Sequence, residues 1–236
     1  MVRFFHLATS IALVFTTTAL AQLSLPPNYK TILSNDDITV MHVHYGAHEL
    51  VLMHDHPPVA TLYVYLNNSG EVDIIHEAPD GGDGDVAHRP PTQAGAMRLA
   101  PGIAERHSIK SNSDTPSDFL RVEFQKLTFP DLPKEGKRIP ADTTAAPGAT
   151  TAYADASLRI TRVTCPANSP CDPIKTPDRS LLIALNRTDL TSNDSPKTLH
   201  TGDVTWLPAS PSTTYTLAPN TQVVLVTFLT PTSATN

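Results

Sequence analysis

The sequence is short of several features that would narrow its class at once. Basic residues are few: 17 Lys and Arg stand against 23 Asp and Glu, the formal net charge is −6, and no Lys/Arg cluster occurs. A polyanion therefore finds no electrostatic footprint, which argues against a nucleic-acid partner. Beyond the first 21 residues no apolar run approaches the roughly 20 residues that cross a bilayer, so no membrane partner is expected for the mature chain. Glycine is scarce at 10 residues while proline reaches 22. Together with runs rich in Thr and Val, this favours many short strands and proline-punctuated loops over helices. Only two cysteines occur, so the chain is not a disulfide-dense scaffold.

The first 21 residues read as a secretory leader. Arg3 supplies a positive start, Ile11 to Phe15 anchor an apolar stretch, and Ala19-Leu20-Ala21 fits a small-x-small cleavage site before Gln22. Thr9, Ser10 and Thr16 to Thr18 interrupt the apolar part, which is too short for an anchor. The expected destination is the periplasm or the exterior. In that oxidising setting Cys165 and Cys171 are expected to pair across a short loop and to stabilise modestly. A reactive CxxC-like pair is excluded by the spacing.

A length of 236 residues suits two small domains or one large all-β domain. Strand-like runs fall at 29–45 around a turn, then at 50–53, 61–66, 72–76, 96–99 and 119–127, the rhythm of a barrel or sandwich. Residues 78–93, acidic and Gly-rich and then proline-rich, have no periodic apolar face and read as a long surface loop. From Pro130 to Thr151 the composition shifts to Pro, Ala, Thr, Gly and Lys, as in a linker. Further strand-like runs follow at 157–164, 180–185, 203–207 and 222–229, so the second half repeats the first. The expected division is a leader over 1–21, a first domain over 22–129, a linker over 130–152 and a second domain over 153–231.

The residues that carry chemistry are His54, His56 and His107. Side chains two apart in a strand point to one side, so His54 and His56 can converge on an ion. His107 opens another strand-like stretch after Ala100-Pro101-Gly102, which a barrel can bring opposite. Three imidazoles with room for water suit a divalent transition metal, Fe, Mn, Ni, Cu or Zn, without choosing among them. His42 and His44 lie on the face opposite Met41, Val43 and Tyr45 and read as surface residues; His48, His76, His88 and His200 have no partner at ligand spacing.

With His54-Asp55-His56-Pro57 as a first motif and Gly95, Pro101, His107 and Asn112 as a second, the chain resembles the cupin superfamily over roughly 35–125. The resemblance implies an all-β fold of two tandem cupin-type jelly-roll barrels. It also implies a metal site at His54, His56 and His107. The motif departs at His48, where a Gly is expected, and at Ala60 and Thr61, where the family usually places a fourth ligand, Glu. Glu123 is a possible substitute, but strand alternation puts it more simply on the solvent face. Laying the second half on the first sets Ile174 on His54, Thr176 on His56 and Thr214 on His107, so only the first barrel keeps ligands.

Two functions follow as expectations. One is a metal-dependent enzyme of oxygenase, lyase or isomerase type acting on a small molecule, with Tyr63, Tyr65, Arg98 and Glu123 as candidate supporting groups. The other is a non-catalytic cell-envelope protein that binds a small molecule or serves as a scaffold. In either case two barrels in one chain can pair internally, as a monomer.

Overall fold

The computed structural model describes residues 25–79, 81–142, 146–192 and 195–230. The expected leader over 1–21 lies outside them. Among the described residues the chain has no helix and 19 strands. The first ten are β1 (Tyr29–Ser34), β2 (Ile38–Tyr45), β3 (Leu50–His56), β4 (Ala60–Tyr65), β5 (Val72–Glu77), β6 (Asp83–Arg89), β7 (Met97–Ala100), β8 (Glu105–Ser111), β9 (Ser117–Phe124) and β10 (Lys137–Ile139). The rest are β11 (Gly148–Ala154), β12 (Leu158–Thr164), β13 (Ile174–Thr176), β14 (Ser180–Ala184), β15 (Thr188–Ser192), β16 (Ser195–Leu199), β17 (Val204–Leu207), β18 (Ser210–Leu217) and β19 (Gln222–Phe228).

These strands make two tandem barrels, each of two sheets. In the first, β1-β2-β9-β4-β7-β10 packs on β3-β8-β5-β6; in the second, β11-β12-β19-β14-β17 packs on β13-β18-β15-β16. Paired strands are antiparallel, as in β2 with β9, so one face of each larger sheet looks into its own lumen while the other is free to pack elsewhere. The two larger sheets spend that second face on each other. Val40, Leu62, Val122 and Phe124 of the first meet Ile160, Leu181, Ile183 and Val226 of the second in one continuous apolar core. Phe124 and Phe228 pack edge-on at 5.8 Å.

Polar contacts close the rim of this junction. Arg179 of the second barrel pairs with Asp37 of the first, and Arg162 Nη2 donates to the carbonyls of Gly95 and Pro140, each at 2.7 Å. At Gly202 the two barrels come so close that a Cβ would stand 2.8 Å from Leu66, and its φ of +86° is one that other residues avoid.

Three stretches depart from the sequence reading. Residues 78–93 are not all loop: β6 pairs with β5, Ile74 opposite Ala87. As an edge strand with mostly exposed side chains it shows no apolar period. Between Pro130 and Thr151, β10 pairs with β7 and β11 with β12. In the second half the polar strands β13, β15, β16 and β18 fill the sheet opposite the apolar ones. Cys165 and Cys171 are joined by a disulfide that lies in the second lumen among Val163, Tyr215 and Leu225.

The shared core makes the barrels one cooperative unit. Phe124→Ala should lower the unfolding free energy by about 3–5 kcal/mol, the range for truncating a buried Phe. Urea denaturation followed by tryptophan fluorescence, which reports Trp206 in the second barrel, should show that loss as one shifted transition. An unshifted Trp206 signal would refute the coupling.

Candidate metal centre

The centre is built on β3 and β8, which run antiparallel with His54 opposite His107 and His56 opposite Glu105. Residues directly opposite share a face, so all four side chains project into the first lumen. A bulge between Val51 and His54 resets the alternation, so that Val51, His54 and His56 are all buried while Leu52 points out. The carbonyl of Leu52 then accepts the Nδ1–H of His54 at 2.7 Å. Because a carbonyl can only accept, Nδ1 carries the proton and Nε2 keeps a free lone pair.

His54 Nε2 stands 3.1 Å from His56 Nε2 and 3.1 Å from the Tyr29 hydroxyl. Two nitrogens bound to one ion at about 2.1 Å stand roughly 3.0–3.4 Å apart at angles between 90° and tetrahedral, and the observed spacing falls in that window. One ligand atom from each of His54, His56 and His107 lies within 4.8 Å of the other two; among the described residues no other group of three metal-ligating side chains does so.

Burial sets the charge state. It pushes His56 down to about 2, helped by the positive field of Arg121 and by His107 and His54. It pushes His107 down to about 3, helped by His54, His76 and Arg121. His54 is lowered for the same leading reason. Neutral imidazoles present lone pairs, the form that binds metal. The buried Nδ1 atoms of His56 and His107 have no hydrogen-bond partner, although Glu105 Oε2 approaches His107 Nδ1 to 3.7 Å. Such unpartnered polar atoms are costly in a buried site.

The fourth-ligand question resolves by strand parity. Ala60, Leu62 and Val64 face the junction between the barrels, so Thr61, not Ala60, holds the lumen position, and its hydroxyl donates to the Val59 carbonyl at 3.0 Å. Glu123, expected on the solvent face, lies buried opposite Thr61. Both faces of β9 are covered, one by the lumen and one by the second barrel, so alternation there separates two interiors. Glu123 Oε1 accepts from Arg121 Nε at 2.9 Å, and Arg121 Nη1 donates to the Tyr63 hydroxyl at 2.8 Å. The carboxylate is thus committed to Arg121 and does not join the three histidines.

A cavity of about 60 Å³ adjoins the cluster, and His56, His107, Tyr63, Tyr65 and Arg98 all line it. His76 lines it too. It is the cross-strand neighbour of His107 on β5, with ring centroids 6.0 Å apart. Sequence spacing missed it because strand pairing, not chain proximity, brings it there. The other described histidines sit outside, His42 and His44 on Asp118, His48 on Asp114, His88 on Asp73 and His200 on Asp203. In the second barrel Ile174 pairs with Tyr215, one residue past the expected Thr214, and Leu182, Leu190, Leu217 and Val223 fill the lumen.

The buried ion pair yields a sharp test. Glu123→Leu strands the Arg121 charge and should cost about 3–5 kcal/mol, whereas Arg121→Met/Glu123→Leu should recover most of it. Denaturant titration of the three proteins measures both effects.

No family model matches the chain, and no curated protein matches it by sequence. Solved structures do match in fold. A cupin 2 conserved barrel domain protein from Leptotrichia buccalis is 14% identical with a TM-score of 0.50, covering 91% of this chain and 92% of its own. The bacterial pirin YhhW from Escherichia coli, in complex with nickel(II), is 12% identical with a TM-score of 0.58, covering 85% and 90%. A salicylate 1,2-dioxygenase from Pseudaminobacter salicylatoxidans is 11% identical with a TM-score of 0.53, covering 85% and 76%. At these identities the likeness is one of fold, and the fold is that of the cupins.

Proposed function

We propose that the first barrel holds one divalent transition-metal ion on His54, His56 and His107 and serves as a metal-dependent enzyme site for a small molecule. The observation that carries this reading is the convergence of three buried neutral imidazoles, with ligand atoms within 4.8 Å of one another, beside a cavity in the first barrel. The donor set fits Fe, Mn, Ni, Cu or Zn alike, and the His54 Nε2 lone pair, left free by the Nδ1–H bond to Leu52, faces His56 Nε2 at the 3.1 Å spacing of two ligands on one ion. When bound, such an ion polarises a substrate oxygen or activates dioxygen.

The chain's own residues do the rest. Leu52 fixes the His54 tautomer through its carbonyl. Burial holds the imidazoles neutral, and Arg121, locked by Glu123 and Tyr63, adds to that effect. The Tyr29 hydroxyl stands 3.1 Å from His54 Nε2 and 2.6 Å from the Tyr45 hydroxyl; burial holds its pKa well above the ordinary value, so it stays a neutral hydrogen-bonding group beside the ion. The oxygenase, lyase or isomerase choice is left to the substrate.

The same reading places the mature protein outside the cytoplasm, in the periplasm or beyond. The leader motif in 1–21 and the Cys165–Cys171 disulfide support that. We further propose a monomer in which the two barrels pair internally; the sheet face of the first barrel that is covered by the second supports this.

Metal analysis of the purified protein decides the central point. About one equivalent of a transition metal is expected in the native chain and none in His54→Ala/His56→Ala. A native protein that stays metal-free after incubation with each candidate ion would refute the site.

A further inference from the structure

Two arginines on the cavity wall lack a carboxylate partner among the described residues. Arg89 ends β6 and Arg98 lies on β7, and both line the cavity beside the histidines. Both also line a neighbouring recess of about 250 Å³, where Arg138 sits opposite Arg98 across the β7–β10 pair. The arginines with carboxylate partners among the described residues are Arg106, Arg121 and Arg179; Arg89 and Arg98 are not among them. Instead, the Nε of each is buried with no hydrogen-bond partner.

Arg98 is nonetheless held in place. Its guanidinium lies 4.2 Å over the Tyr63 ring, and Nη1 donates to the Glu135 carbonyl at 3.3 Å. Neither contact neutralises its charge. Arg89 is pressed toward a lower pKa by burial first and then by the positive charges of Arg98 and Arg138. Gathering like charges at a partly dry wall is unfavourable unless an anion joins them, planar guanidinium forks bind carboxylate or phosphate bidentately, and an apolar wall beside them favours the anion that carries an apolar body. The neighbouring wall is apolar and aromatic, from Tyr45, Tyr65, Val72, Ile74 and Phe119.

We propose that Arg89 and Arg98 form the subsite for the carboxylate of a small organic acid whose apolar or aromatic body extends along the wall toward the three histidines. This names the substrate class of the site proposed above and rests on that reading for which end of the ligand reacts, but not for the binding itself. Arg121 is excluded as the anchor because Glu123 already satisfies it.

Calorimetric titration of the full mature chain with acetate and benzoate, each beside its neutral amide, tests this. The carboxylates should bind at least tenfold more tightly than acetamide and benzamide. Arg89→Gln and Arg98→Gln should each weaken benzoate at least tenfold, while Arg138→Gln, at the exposed rim, should change it less than threefold. Circular dichroism confirms that each variant is folded, and the wild-type acid-to-amide ratio stands without any variant. Benzoate binding that survives in metal-free His54→Ala/His56→Ala supports the subsite even where the metal reading fails. Equal binding of acids and amides, no benzoate binding at millimolar concentration, or displacement of benzoate by equimolar inorganic phosphate would overturn the proposal.

Discussion

The constraint on which the structure depends is that the sheet between the two lumens is buried on both faces. Once Leu62, Val122 and Phe124 are packed against Leu181, Ile183 and Val226, the opposite side of β4 and β9 must either be apolar or satisfy its polar groups internally. The first barrel takes the second course. Thr61, Tyr63, Arg121 and Glu123 lie on that inner side and bond to one another or to backbone, which sets up a polar interior behind the apolar junction. The second barrel takes the first course, with Leu182, Leu225 and a disulfide at the corresponding place.

That difference explains why one lumen holds a cluster of histidines and the other is filled by apolar side chains. Burial removes the protons from His56 and His107, and the Arg121 charge reinforces the effect. The result is a donor set ready at neutral pH. The second barrel then contributes by covering the face of the first: its Leu and Val side chains exclude water from behind the Arg121–Glu123 pair, in a low-dielectric setting where a paired charge is strong and an unpaired one expensive.

How much of this is legible in the sequence varies with the kind of signal. Strands dense in apolar residues, such as β2, β9, β14 and β19, read directly, and so does the shared facing of His54 and His56, because side chains two apart on a strand point one way. His48 also reads well in hindsight: it stands at a motif glycine and takes φ +55°, the left-handed conformation that a glycine there would supply. The edge strand β6 and the Thr-rich strands of the second barrel escape, since backbone pairing leaves no periodic trace in polar side chains. Glu123 is misplaced for a different reason: alternation is informative only where one face meets water. The bulge in β3 that turns Val51 to the side of His54, and the cross-strand approach of His76, are invisible without the register.

The account stands on His56 and His107 being neutral, lone-pair-bearing imidazoles in a dry lumen. Nitrogen-15 NMR of the ring nitrogens in the metal-free protein, followed from pH 7 to pH 5, reads this directly. The account predicts that both rings keep neutral-form shifts throughout, as folded-state values of about 2 and about 3 require. Protonation of either ring with a midpoint near the ordinary 6.5 would contradict it.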